Sequence, residues 1–223
     1  MKQKDKGREA DTFEVCISKE ELNRLPIEKY SGEIVTVSTV EELEEAISEL
    51  EKAALIGFDT ETKPAFKKGQ VHNMALIQMA TDKKCFLIRI CKFGIPEKLK
   101  TLLADKNIPK VGLSLRDDFH GLAKLSDVTP GGFIDIQEMV KDFLITDSSL
   151  TKIHAILFGR RISKSQQLSN WEANSLTDKQ KEYASLDALA CINIYRHLRE
   201  GQFVPQKSKY YQKKQIDDAQ KTS

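Results

Sequence analysis

Leu55-Ile56-Gly57-Phe58-Asp59-Thr60-Glu61-Thr62 is an apolar run that abruptly acquires two carboxylates. A strand has a side-chain period of two, so a strand here points Asp59 and Glu61 out of the same face. Each of two adjacent like charges raises the other's pKa and resists desolvation, which makes an uncompensated pair at the end of a core strand unfavourable. A divalent cation removes that penalty, and hard oxygen ligands at this density suit Mg2+ or Mn2+. A solvated strand end with two ordinary acids is the other reading this stretch allows.

Working outward, order is expected to begin near Gly32, with residues 1–31 a loosely held N-terminal arm, charge-mixed and without periodicity. Glu33 to Val37 is a β-branched strand, and Thr39 with Glu42 forms a capping box for a helix through about Lys52. Beyond the acidic strand, Ala75 to Thr81 and Cys85 to Ile90 flank Asp82-Lys83-Lys84 as a hairpin, so three antiparallel strands start a sheet. Pro96 to Lys106 reads as a helix, Lys110 to Leu115 as a strand, Arg116 to Leu125 as a helix and Phe133 to Ile136 as an edge strand. This alternation is the signature of parallel additions to a mixed sheet with helices on both faces, an α/β fold. Ser149 to Phe158 is helical with Gly159 as its stop, and the last long helix starts at Thr177 in a second capping box with Gln180 and ends at Gly201. The expected domain spans residues 32–203, followed by a flexible polar tail over 204–223.

The 223 residues suit one domain, and 40% hydrophobic with 30% charged residues is a globular composition. A net charge of +2 does not by itself argue for nucleic acid, so any basic surface must be local. The four cysteines form no C-x-x-C pair and no Cys/His cluster, which points away from zinc and disulfides and toward reduced thiols in a cytoplasmic protein. The charged start Met1 to Arg8 lacks the apolar core of a secretory signal. No apolar run approaches the roughly 20 residues of a membrane span, so no membrane role is expected.

Further carboxylates fall on helices. Asp118 is followed at i+4 and i+7 by Leu122 and Leu125, on the inward stripe, whereas Asp117 aligns with Gly121 and Lys124 on the wet side and reads as a helix-dipole acid. In the last helix Tyr183 and Asp187 are four apart, on a face that continues through Cys191, Ile194 and Leu198. An aspartate held against that apolar face needs a metal, an Arg partner, a buried ion pair or a Tyr–Asp hydrogen bond.

Taken together, these residues resemble the DEDD superfamily of 3′–5′ exonucleases in its tyrosine-bearing branch. Phe58 to Glu61 is similar to the family's first motif, D-x-E; Val111 to Asp118 to the second, with an acid six residues after a glycine; and Tyr183 to Ala188 to the third, Y-x-x-x-D-A. Ala75-Leu76-Ile77-Gln78, Ser169-Asn170-Trp171 and Leu176 to Gln180 echo the exonuclease domains of Werner-syndrome helicase and ribonuclease D type. Two departures stand out: Ser114 occupies a place where many relatives have Asn, and no ribonuclease D-type helical RNA-binding appendage follows.

The resemblance implies a ribonuclease H-like fold and hydrolysis from the 3′ end with two bound ions, Mg2+ or Mn2+, held by Asp59, Glu61, Asp118 and Asp187. It implies that Asp59 bridges the ions, that Glu61 and Asp187 serve the one that activates water, that Asp118 serves the second, and that Tyr183 orients the water. The expected partner is nucleic acid with single-stranded or recessed 3′ ends, DNA slightly ahead of RNA, with any helicase or repair/processing partner a separate chain. The alternatives are a ribonuclease D-like RNA trimmer, a non-catalytic nucleic-acid-binding module and a hydrolase of another phosphate ester. Lys152, Arg160, Arg161 and Lys164 are a basic stretch suited to phosphates or a solvated loop, Arg116 reaches the scissile phosphate or faces water, and Trp171 stacks a base or anchors packing.

Overall fold

The computed structural model describes residues 12–214. In chain order the elements are β1 (Phe13–Val15), α1 (Lys19–Arg24), β2 (Glu33–Val37), α2 (Val40–Leu50), β3 (Ile56–Thr62), β4 (Met74–Ala80), β5 (Lys84–Ile88), α3 (Ile90–Phe93), α4 (Glu97–Ala104), β6 (Lys110–Gly112), α5 (Leu115–Leu125), β7 (Phe133–Asp135), α6 (Ile136–Met139), α7 (Leu150–Phe158), α8 (Asp178–Arg199) and β8 (Tyr211–Lys213). A six-stranded sheet runs β2-β5-β4-β3-β6-β7. The antiparallel set is β3, β4 and β5, as the hairpin pattern implies, while β2 joins β5 in parallel, and β6 and β7 extend the other side in parallel.

Alternation along the strands sorts the core into two layers. Ile56, Phe58, Ile77, Met79, Phe86 and Ile88 pack under α2, α4 and α5, whereas Leu76, Ala80, Cys85 and Leu87 pack under α7 and α8. The helix starts obey local chemistry: Thr39 with Glu42 and Thr177 with Gln180 close capping boxes, and Gly159 stops α7 with φ 67°. No helix among the described residues is long and apolar enough to cross a membrane.

Two departures from the sequence pattern have physical causes. The strand expected over 110–115 ends at Gly112, because Ser114 adopts a left-handed backbone (φ 58°, ψ 43°) and α5 begins at once. The Asp135 carboxylate accepts the Ser114 and Leu115 backbone N–H groups at 2.9 Å each, so the helix is capped from β7 rather than by its own N-terminal residue. Left-handed backbone is a conformation that asparagine visits more readily than serine and most other residues.

The second departure is in the flanks, where the described parts of arm and tail are packed rather than loosely held. β1 and β8 pair as an antiparallel ribbon, with Val15 and Ile17 buried and Tyr210 only 5% exposed. The Val15 amide donates to the Leu144 carbonyl, and the Ile17 amide to Asp147, tying the ribbon to the loop before α7. The few apolar residues of these polar stretches do the packing, and a pairing this distant in sequence leaves no local periodicity. The arm up to residue 11 and the tail from 215 lie outside the described residues.

Candidate active site

Everything at the site depends on how closely α8 lies on β3. Gly57 faces the helix, and a Cβ there would stand 2.0 Å from the Ala188 carbonyl oxygen. Its bare backbone therefore sets the approach that carries Asp187 toward Asp59. Gly57→Ala is expected to push α8 off the strand and destabilise the protein by about 3 kcal/mol. That is roughly 10 °C in melting temperature by scanning calorimetry; an unchanged melting temperature would contradict this packing.

Asp59 and Glu61 come from β3, and Tyr183 and Asp187 from successive turns of α8. Ligand oxygens of Asp59, Glu61 and Asp187 lie within 4.8 Å of one another. Asp118, in the first turn of α5, stands outside that trio, and its carboxylate accepts a hydrogen bond from the Thr60 hydroxyl. Thr60 points to the opposite face of β3 from Asp59 and Glu61, so α5 is latched to that strand through its other side. Asp117 is exposed beside it, as helical spacing implies.

Electrostatics make this a strained anion cluster. Burial, followed by the charges of Asp187 and Asp118, holds Asp59 well above the carboxylate range. Glu61 is pushed up to about 10 by burial and then by Asp59. Asp187 rises to about 7 through burial, opposed by the Tyr183 phenol and the field of Lys164, and Asp118 rises to about 6 through burial, opposed by Thr60. Burial and then Asp187 lift Tyr183, so its phenol stays protonated at neutral pH. None of the ion pairs among the described residues includes any of the four acids. An oxygen-only donor set with excess negative charge and no ion-paired base among the described residues fits a hard divalent cation.

A cleft of about 240 Å³ opens beside the acids, lined by Asp59, Tyr183, Asp187, Lys164, Gln167 and Ser149 among others. Lys164 is thus brought to the site. The other basic and aromatic candidates are not. Lys152 is committed to Asp147 at 2.6 Å, the same carboxylate that anchors Ile17, so it is a strut of the fold. Trp171 is 0% exposed and offers no face to a base; its indole packs 6.1 Å from the Tyr183 ring, which makes it the packing anchor. Arg116 projects into solvent from α5, and Arg160 is exposed near Glu28. The pattern of charges alone missed Thr60, Gln167 and Ser149.

A family model described as 3′–5′ exonuclease matches residues 34–201. Similar proteins include the bifunctional 3′–5′ exonuclease/ATP-dependent helicase WRN of Mus musculus, 32% identical over 82% of this chain but only 14% of that protein. A 3′–5′ exonuclease of Arabidopsis thaliana is 26% identical over 82% of this chain and 69% of its own length. Ribonuclease D of Gluconacetobacter diazotrophicus is 26% identical over 74% of this chain and 42% of that protein. Among solved structures, the Aedes aegypti Nibbler EXO domain superposes with TM-score 0.69 at 21% identity, covering 81% of this chain and 96% of that one. Escherichia coli RNase D gives 0.67 at 21% identity, covering 77% and 45%. The fold is the ribonuclease H-like one expected, and the match over nearly all of the sheet and its helices places this chain in the 3′–5′ exonuclease family of the DEDD superfamily.

Proposed function

We propose that this protein is a divalent-metal-dependent exonuclease of the tyrosine-bearing branch that removes nucleotides one at a time from the 3′ end of a nucleic acid strand. The observation that carries this reading is the meeting of Asp59, Glu61 and Asp187 within 4.8 Å, with Tyr183 at the same cleft. These three acids, with Asp118, would hold Mg2+ or Mn2+, as a pair of ions in this reading. When bound, such cations supply Lewis-acid charge that eases deprotonation of water and departure of the 3′ oxygen.

The remaining work falls to the chain itself. Tyr183, neutral and backed by Trp171, orients water at the scissile phosphate through its hydroxyl. Lys164, which lines the same cleft, meets a phosphate oxygen and offsets the charge that Asp187 brings. DNA is put slightly ahead of RNA because the relative at 32% identity is named an exonuclease joined to a helicase. RNA is the second reading, favoured by the likeness to a ribonuclease D. A cytoplasmic setting, and any helicase or repair/processing partner as a separate chain, belong to this proposal as well.

Digestion of 3′-labelled and 5′-labelled single-stranded DNA, recessed duplex DNA and RNA, with Mg2+, Mn2+ or chelator, tests it. Stepwise metal-dependent loss from the 3′ end is the expected result, and the ranking of strands decides between the two readings. Intact strands in every lane, from folded protein that binds them, would leave a binding module instead. Lys164→Ala is expected to raise KM several-fold at low salt while kcat holds, and to reduce the salt slope of strand binding by about one. An unchanged salt slope removes Lys164 from the phosphate path.

A further inference from the structure

Gln78 stands directly opposite Asp59 in the β3–β4 pair. Directly opposed residues of antiparallel strands leave the same face with Cβ atoms about 5 Å apart. Gln78 therefore shares the α8-facing side with Asp59 and Glu61. The layers agree: Leu76 and Ala80, two positions either side of it, belong to the core under α8, while Ile77 and Met79 belong to the other. Gln78 is 0% exposed, and neither its amide nitrogen nor its amide oxygen is hydrogen-bonded to any protein group.

A primary amide buried without a partner is destabilising by about 1–3 kcal/mol. Leucine or methionine would fill the same space beside Leu76, Ala80 and Leu87 without that penalty. The fold therefore makes no use of the amide. Asp59 does have a use for it. Only the Thr60 backbone works to keep its carboxylate ionised, against burial and the charges of Asp187 and Asp118. A ligating carboxylate in a desolvated layer needs further donors to stay ionised and to hold one orientation.

We propose that Gln78 is a positioning residue for Asp59: its amide nitrogen donates to the Asp59 carboxylate in the cation-loaded site and fixes which oxygen faces the cleft. The role rests on reading Asp59, Glu61 and Asp187 as a cation site.

The test compares the native protein with Gln78→Met, an apolar side chain of similar length. Metal-stripped protein is titrated with Mn2+ by calorimetry, without nucleic acid, and melted in chelator. Gln78→Met is expected to melt at or above the native temperature and to bind Mn2+ about 10–100-fold more weakly. In 15N-labelled native protein, the Gln78 side-chain NH2 pair, identified by its loss in the variant, is expected to shift on adding Mg2+. Native-like Mn2+ affinity in the folded variant, or an unmoved NH2 pair in metal-bound native protein, overturns the role of Gln78. So does a variant that fails to fold, because the amide is then part of the fold. Native protein that binds no Mn2+ overturns the reading of the acidic site itself, which is a separate outcome.

Discussion

Asp59→Asn is expected to remove 3′–5′ digestion by about a thousandfold or more while leaving the protein folded and, in chelator, slightly more stable. Asp59 is central to the acidic trio, with its charge felt by Glu61, Tyr183 and two buried cysteines. Losing that carboxylate removes a ligand, and a bound cation is worth several kcal/mol of transition-state stabilisation. Each 1.4 kcal/mol is a factor of ten in rate, which sets the size of the loss. The gain in stability has the opposite origin: an amide at this place no longer repels Asp187 and Asp118, the two charges that raise Asp59. Asp187→Ala is expected to give a comparable loss of activity with little change in folding. Single-turnover digestion and calorimetric melting of both variants decide the matter. Either variant digesting within tenfold of the native rate would remove its residue from the catalytic set.

The parts of this site that were legible in the sequence are those whose geometry is local. Period two put Asp59 and Glu61 on one face, and helical spacing separated Asp118 from Asp117 and aligned Tyr183 with Asp187. The capping boxes at Thr39 and Thr177 marked where α2 and α8 begin. Contacts made across the chain were the ones hidden. Asp135 caps α5 from another strand, so the local pattern ran β6 three residues too far. β1 and β8 pair across almost the whole chain, so their polar sequences read as loose flanks. Lys152 belongs to a basic stretch by sequence, but its partner Asp147 lies in the loop before α7 and is shared with the Ile17 amide from the other end of the chain. Gln78 was visible as the single polar side chain in an apolar strand, and only the strand register shows that it faces Asp59.

The acidic cluster also makes stability depend on pH in a direction that bound metal reverses. In metal-free protein Asp118 is held at about 6, Asp187 at about 7 and Glu61 at about 10, whereas in the unfolded chain all return to near 4. Between the two values the folded chain binds more protons than the unfolded one, so stability falls as pH rises. The contribution of each acid is fully present below about pH 4; it is lost through pH 6 for Asp118, 7 for Asp187 and 10 for Glu61. A carboxyl moved from near 4 to about 6 loses about 3 kcal/mol across that window, or roughly 10 °C in a protein of this size. His154, whose imidazole is held below its ordinary value by burial, acts with the opposite sign below about pH 6.5 and blunts the slope there. Lys110, buried and held at about 8 by desolvation, does the same above that value, so from about pH 6.5 to 8 neither base opposes the acids. A divalent cation competes with protons for the same oxygens, and at a hundred times its Kd it stabilises by about 2.7 kcal/mol. Melting curves in chelator are therefore expected to fall from pH 5 to 8, and curves in Mg2+ or Mn2+ to separate upward from them as pH rises. Glu61→Gln should narrow the gap. Parallel curves with and without metal across this range would mean that the carboxylates are not the cation site, because only a ligand that displaces their protons bends one curve away from the other.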